Sequence, residues 1–237
     1  MQVLVGTCGF PKSRRVIYST LDAVELQETF YNMPNPEKMA QLRREAPDFR
    51  FTAKVFQGIT HSPDSPTFKR TRGFKPGVGH GLLKPTRENL QLWDQFTEAV
   101  APLRPDVLIF QTPPSLKPEP HIYDFFTAVV GRWRLAWEPR GQTYGDIKLI
   151  EKVAELGVVI VVDPLRKEPT TARYHYFRLH GLGGREVNYR YKYTAQDLQR
   201  LASIIKQLKG EEAYVMFNNI YMYDDAVEFK RIYATSV

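Results

Sequence analysis

Gly157-Val-Val-Ile-Val-Val162 is an unbroken apolar run that stops at Asp163-Pro164. A strand exposed on one face alternates apolar and polar residues, whereas a run with no polar position is the pattern of a parallel strand covered on both faces. Related runs recur along the chain, and each ends in a polar cluster: Val3-Leu-Val-Gly-Thr-Cys8, Phe51-Thr-Ala-Lys54, Leu135-Ala-Trp-Glu138, Tyr176-Phe-Arg-Leu-His180 and Tyr214-Val-Met-Phe-Asn-Asn219. Eight strand candidates result, at 2–7, 22–28, 50–55, 106–111, 134–138, 157–162, 175–180 and 212–217. Amphipathic helical segments lie between most of them. In a chain of 237 residues this alternation predicts one domain over 1–237, an α/β fold of TIM-type (β/α)8 barrel whose strand ends converge on a polar mouth. An open doubly wound sheet is the competing architecture, and eight strands favour closure.

The helices announce themselves through their ends. Asn35 is placed to cap a helix with Pro36 in its first turn, Met39 and Leu42 on its buried face and Pro47 as its stop. Thr194-Ala-Gln-Asp197 resembles a capping box, followed by Leu198, Leu201, Ile204, Ile205 and Leu208 at helical spacing and Gly210 as terminator. Segments 86–101, 119–130, 146–156 and 223–234 show similar periodicity. Two connections are irregular: 10–21 is too short for a full helix, and 163–174 reads as loop, so the helices after strands 1 and 6 are expected to be shortened or missing. Residues 57–85, rich in Gly, Pro and Lys, form a long connection of the kind that is usually functional or disordered, and a lid is one reading of it.

A hydrophobic fraction of 43% fits a globular protein with a sizeable core. No apolar stretch approaches the roughly 20 residues needed to span a bilayer, and the chain enters a strand at once, so neither a membrane partner nor a signal peptide is expected. A single cysteine fits a reducing compartment, which makes the cytoplasm the expected location. The net charge of +7 is unevenly placed. Segment 57–87 has six basic residues (Lys69, Arg70, Arg72, Lys75, Lys84, Arg87) against Asp64. Segment 164–193 has seven (Arg166, Lys167, Arg173, Arg178, Arg185, Arg190, Lys192) against Glu168 and Glu186. Both follow strands, so a barrel would carry them on one rim and give it a positive field. Solvated loops with a chance excess of Lys and Arg are the plainer alternative.

Period-2 alternation turns Glu25 and Gln27 of the second strand away from its apolar face, and likewise Thr52 with Lys54 and Arg178 with His180. Isolated buried charges are strongly unfavourable, so Glu25, Lys54, Glu138 and Arg178 should pair with one another, as a structural network, a substrate site or both. Glu138 and Arg140 flank Pro139, an arrangement suited to a general base or to holding a cationic group. Asp163 and His180 end strands 6 and 7, His61 follows strand 3, Gln111 ends strand 4, and Asn218 and Asn219 close strand 8. His61, His180, Glu138 and Asp163 are metal-ligand types, yet Lys54, Arg140 and Arg178 would crowd such a site with positive charge, so no metal is expected. Cys8 reads as a small buried hydrophobe, with a nucleophile as the lesser alternative. No phosphate-binding glycine loop, serine nucleophile elbow or paired cysteine motif appears, and nothing specifies a cofactor.

Gly6-Thr-Cys-Gly-Phe10, Val24-Glu-Leu-Gln-Glu-Thr-Phe-Tyr31, Ala53-Lys54, Thr60-His61, Gln111-Thr-Pro-Pro-Ser115, Glu138-Pro-Arg140, Arg178-Leu-His-Gly181 and Phe217-Asn-Asn219 follow one another in an order that resembles the YecE-like family, domain-of-unknown-function family 72. The resemblance spans nearly the whole chain and implies a TIM-barrel fold, with no established activity. Departures are Phe10, where that family usually has Trp, a shorter connection before the second strand, and Ile220-Tyr-Met-Tyr-Asp224, where an acidic residue and a Gly are usual.

Three classes of function follow. The first is an enzyme or binder for a small anionic, phosphate- or carboxylate-bearing ligand. Here Lys54, Arg140 and Arg178 hold the anion with His61, Gln111, Asp163, Asn218 and Asn219, while Glu138, His180 and Glu25 are the candidate catalytic groups. The second is a nucleic-acid binder or nuclease using the basic loops, with Tyr189, Tyr191 and Tyr193 offered for stacking or, alternatively, for packing. The third is a non-catalytic interaction protein. Oligomeric state leaves no signature.

Overall fold

The apolar runs pair side by side in parallel, and helices follow most of them. The computed structural model describes residues 1–170, 172–184 and 186–235. The strands are β1 (Gln2–Cys8), β2 (Ala23–Leu26), β3 (Arg50–Lys54), β4 (Val107–Gln111), β5 (Leu135–Glu138), β6 (Val159–Ile160), β7 (Tyr174–Leu179) and β8 (Glu212–Phe217). The helices are α1 (Arg14–Thr20), α2 (Glu28–Tyr31), α3 (Pro36–Glu45), α4 (Gln57–Thr60), α5 (Arg87–Val100), α6 (His121–Val129), α7 (Gln142–Gly145), α8 (Ile147–Glu155), α9 (Ala195–Gln207) and α10 (Met222–Thr235). The sheet order is β6-β5-β4-β3-β2-β1-β8-β7. Beyond β6, Val162 forms a parallel bridge with Phe177 of β7. This is the strand succession of a TIM-type (β/α)8 barrel. As expected, α1 is short, and among the described residues no helix stands between β6 and β7.

Two strands are shorter than their apolar runs. Strand 2 was expected to reach residue 28, but the chain turns into α2 directly after Leu26. The Thr29 hydroxyl lies 3.1 Å from Leu26 O and 2.7 Å from Lys54 O, which fastens α2 to the end of β3. Gln27, expected to share a strand face with Glu25, therefore lies at the helix entrance. The run 157–162 pairs as a named strand only at Val159–Ile160, because Gly157, with φ +86°, belongs to the end of α8 and donates its N–H to Ala154 O at 2.9 Å.

The chain divides into two compact units, Leu26–Ile160 and Met1–Glu25 with the chain from Val161 onward. In the Leu26–Ile160 unit, Phe110 of β4 meets Trp93 of α5 and Phe125 and Phe126 of α6 at ring separations of 5.2–5.8 Å, and Trp137 of β5 meets Phe126 at 5.3 Å. Those residues define the helix-facing side of β4 and β5, so Gln111 and Glu138, one position away, face the other way. In the other unit, β1 pairs with β8 from Gln2↔Glu212 to Thr7↔Phe217, and β7 pairs with β8 along its length. Tyr176 stacks on Tyr214 at 5.5 Å, while Phe217 turns to the opposite face against Tyr193 and Phe229.

Candidate functional site

Within Leu26–Ile160, β3, β4 and β5 end in Lys54, Gln111 and Glu138. The register sets Lys54 opposite Ile109, and Gln111 opposite Glu138. Lys54 is 4% exposed. Its ammonium donates to Gln111 Oε1 at 2.8 Å and lies 3.9 Å from the centre of the Phe30 ring, a cation–π contact. Arg140 Nε and Nη2 donate to Glu138 Oε1 at 2.9 and 2.7 Å. His61, also buried, approaches the Thr60 hydroxyl with Nδ1 at 2.8 Å and meets Phe30 edge-on at 5.0 Å. Burial, then Lys54, then Arg140 push the His61 pKa down to about 3, so its imidazole is neutral at physiological pH. One buried neutral ring therefore lies in the combined field of two cations.

The 57–85 connection is folded onto this group. It contains α4 and a 3₁₀ turn at Pro66–Arg70. Phe74 contacts Phe56 at 5.0 Å and His80 at 5.2 Å, and the Arg70 guanidinium lies 3.7 Å from the Tyr31 ring centre. Gly81 (φ +81°) passes so close to His61 that a Cβ there would fall 1.9 Å from His61 O. Asn89, wholly buried on α5, accepts from Gly81 N at 3.1 Å and donates to Lys84 O at 2.9 Å.

The second unit holds a different group. Glu25 of β2 accepts from Arg178 Nη2 at 2.9 Å on one oxygen and from the Tyr176 hydroxyl at 2.8 Å on the other. Arg178 is 1% exposed, and its Nη2 also lies 3.8 Å from the buried Cys8 thiol. At the end of β7, Asn218 Nδ2 stands 3.1 Å from His180 Nδ1. An amide nitrogen can only donate, so Nδ1 accepts and the neutral ring carries its proton on Nε2.

Beside His180, Asp163 Oδ1 accepts from Leu165 N at 3.0 Å. Its Oδ2 is buried without a hydrogen bond, at 3.7 Å from Arg166 Nε: near enough for charge attraction, too far for a hydrogen bond. Burial raises the Asp163 pKa to about 6, against the lowering effects of the Leu165 N–H, Arg166 and the His180 backbone. Arg166 reaches across to Gly181 O at 3.1 Å and Gly184 O at 3.0 Å, and Gly181 N donates to the Tyr193 hydroxyl at 2.8 Å.

Of the four charges expected to pair with one another, Glu25 and Arg178 do so, while Glu138 accepts from Arg140 and Lys54 donates to Gln111. Asn218 orients His180. Asn219 acts as a fastener, its amide donating to Tyr191 O at 2.7 Å and Asp225 Oδ2 at 2.6 Å. Of the three tyrosines offered for stacking, Tyr193 is buried, Tyr191 is half-buried with its hydroxyl on Asp197 at 2.8 Å and its ring edge-on to Tyr193, and Tyr189 is exposed. Arg185 lies outside the described residues. From the sequence, Tyr176 stands out only as a strand residue and Arg166 only as a loop charge, and Asn89 does not stand out at all. The place of Tyr176 was within reach, since it stands two positions before Arg178 on one strand face. The other two depend on loop geometry that has no period. Among the described residues no group of three or more His, Cys, Asp or Glu is placed to hold a metal ion, and no helix is long and apolar enough to cross a membrane.

A family profile described as "Protein of unknown function DUF72" matches residues 13–235. A DUF72 family protein from Thermotoga maritima is similar at 23% identity and a TM-score of 0.72, over 98% of this chain and 99% of that one. A DUF72 family protein from Enterococcus faecalis V583 gives 18% identity and 0.76, over 98% and 97%. A xylose isomerase domain containing protein from Salmonella typhimurium gives 9% and 0.55, over 94% and 90%. At these identities the likeness is one of fold. No curated protein matches the chain.

Proposed function

The chain belongs to the DUF72 family, whose function is unknown, and we propose that this member binds a small phosphate- or carboxylate-bearing ligand through Lys54, His61, Gln111 and Arg140 of its Leu26–Ile160 unit. The observation that carries this reading is the buried Lys54 ammonium held by Gln111 at the strand ends, with the buried, neutral His61 in the field of Lys54 and Arg140. Those side chains supply an ammonium, a guanidinium and neutral ring and amide groups, against the single carboxylate of Glu138. Such a group favours an incoming anion over a cation. Arg140, already oriented by Glu138, offers a planar donor set suited to carboxylate or phosphate oxygens. Asp163 and His180 are the groups of the other unit best suited to proton transfer, one with its pKa near 6 and one with a defined tautomer.

The test is a thermal-shift panel of inorganic phosphate, sugar phosphates and small carboxylates. A ligand at a hundred times its Kd should stabilise the protein by about 2.7 kcal/mol, and Lys54→Met and Arg140→Met should each abolish the shift. Binding should also raise the His61 pKa from its depressed value, because a bound anion offsets the two cations. Histidine nitrogen NMR reads that change directly. A panel without any stabilising anion, or a shift that survives Lys54→Met, would remove the proposal.

A further inference from the structure

Few large apolar side chains of this protein are exposed, and three of them fall together: Tyr189 at 42%, Ile220 at 63% and Tyr221 at 39%. Ile220 N donates to Tyr189 O at 2.8 Å, joining the loop before α9 to the turn that opens α10. Tyr189 is seated edge-on against His180 at 5.8 Å, so its ring is fixed rather than free to collapse onto the surface. Cations accompany the rings. Lys192 Nζ lies 5.6 Å from the Tyr221 ring centre, Lys12 Nζ 5.6 Å from that of Tyr223, and the Arg14 guanidinium 6.0 Å from that of Phe10. Every charged residue in 10–16 and 189–192 is basic: Lys12, Arg14, Arg15, Arg190 and Lys192. In the first turn of α10, Asp225 is buried and engaged by Lys192 and Asn219, Asp224 is exposed, and Glu228 in the next turn is paired with Arg231.

We infer that the surface made by Tyr189, Ile220, Tyr221 and Tyr223 with Lys12, Arg190 and Lys192 binds a single-stranded nucleic acid. Its repeat of ring beside cation matches the repeat of base beside phosphate: rings take base faces, and ammonium and guanidinium groups take the backbone. A duplex hides its base faces, so single strands should be preferred. A lipid surface would call for more aliphatic side chains than Ile220. The inference is independent of the anion site above, which lies in the other unit.

Fluorescence anisotropy with a labelled oligothymidylate about 12 nucleotides long, within the span of known single-strand platforms, tests it on the full chain. Binding is expected at low salt, weakening as salt rises. Tyr221→Ala and Tyr189→Ala should each weaken it by roughly tenfold, the scale of one lost stacking contact, while Tyr221→Trp retains it. Lys12→Ala and Arg190→Ala should lower affinity and flatten the salt dependence. Circular dichroism melting of the same variants separates lost binding from lost folding. The inference is overturned by absence of binding at low salt, or by binding indifferent to both tyrosine changes, which would assign it to basic loops alone. It is equally overturned if polyglutamate competes as well as the oligonucleotide, or if phosphatidylserine vesicles capture the protein through Tyr221.

Discussion

Asp163 and His61 are buried ionisable residues whose proton affinities have moved in opposite senses. Asp163, raised to about 6, holds a proton in the folded state between roughly pH 4 and 6 that the unfolded chain has released, so its contribution to stability falls as pH rises through that window. His61, lowered to about 3, lacks a proton between about pH 3 and 6.5 that the unfolded chain carries, so its contribution rises with pH. Each slope is about 1.4 kcal/mol per pH unit, and they offset each other between pH 4 and 6. Relative to the parent, Asp163→Asn should therefore unmask a stability that climbs with pH there, and His61→Gln one that declines. Urea unfolding at a series of pH values reads both, and parallel profiles for parent and variants would refute the assignment. The buried Glu25–Arg178 pair makes a separate demand. Arg178→Met strands a carboxylate and should cost about 3–5 kcal/mol, whereas Glu25→Leu with Arg178→Met should recover most of it. A double-mutant cycle measures the difference.

Helix ends were the most legible elements. Asn35 accepts from Lys38 N at 3.0 Å with Pro36 in the first turn, and Thr194 and Asp197 complete their reciprocal box. Those signals are local and depend on residue type at fixed offsets, which is why sequence alone reveals them. Thr194→Ala should cost about 1 kcal/mol, seen as a drop of about 2–4 °C in Tm at this chain length. The limits of β2 and β6 were not legible, because an apolar run is common to strand, helix entry and buried loop. At Leu26 and Gly157 the decision lies with a Thr29 hydroxyl bond and a positive φ. Nor was the folding of 57–85 visible, since the bonds of the Asn89 side chain to Gly81 N and Lys84 O follow no period and the aromatic contacts form only in space. Asn89→Ala should accelerate tryptic cleavage at Lys69, Arg70, Arg72 or Lys75. An unchanged cleavage rate would mean that the aromatic contacts alone secure the segment.

On the scale of the whole molecule, the N-terminal strand is central rather than peripheral. β1 pairs with both β2 and β8, and Gln2 N donates to Glu211 O at 2.8 Å. The amides of β1 and β8 should accordingly be among the slowest to exchange with deuterium, and a chain lacking residues 1–8 should not fold the unit to which both strands belong. The barrel was legible because its strand–helix alternation is a property of the entire sequence. The site was legible only as a list of side chains: Lys54, Gln111, Glu138, Arg140 and Arg178 could be named from their positions, but the bonds of Lys54 to Gln111 and of Tyr176 to Glu25 had to be found in space.

Burial of the lone cysteine also makes this chain ready for labelling. Cys8 sits at the end of β1 beneath the Arg178 guanidinium, so a maleimide dye should ignore the native protein and react with one thiol after denaturation. A cysteine introduced at Val78, whose side chain is 91% exposed, would then be the only modifiable position. Fluorophores or spin labels there can report on the 57–85 segment without first removing the natural thiol.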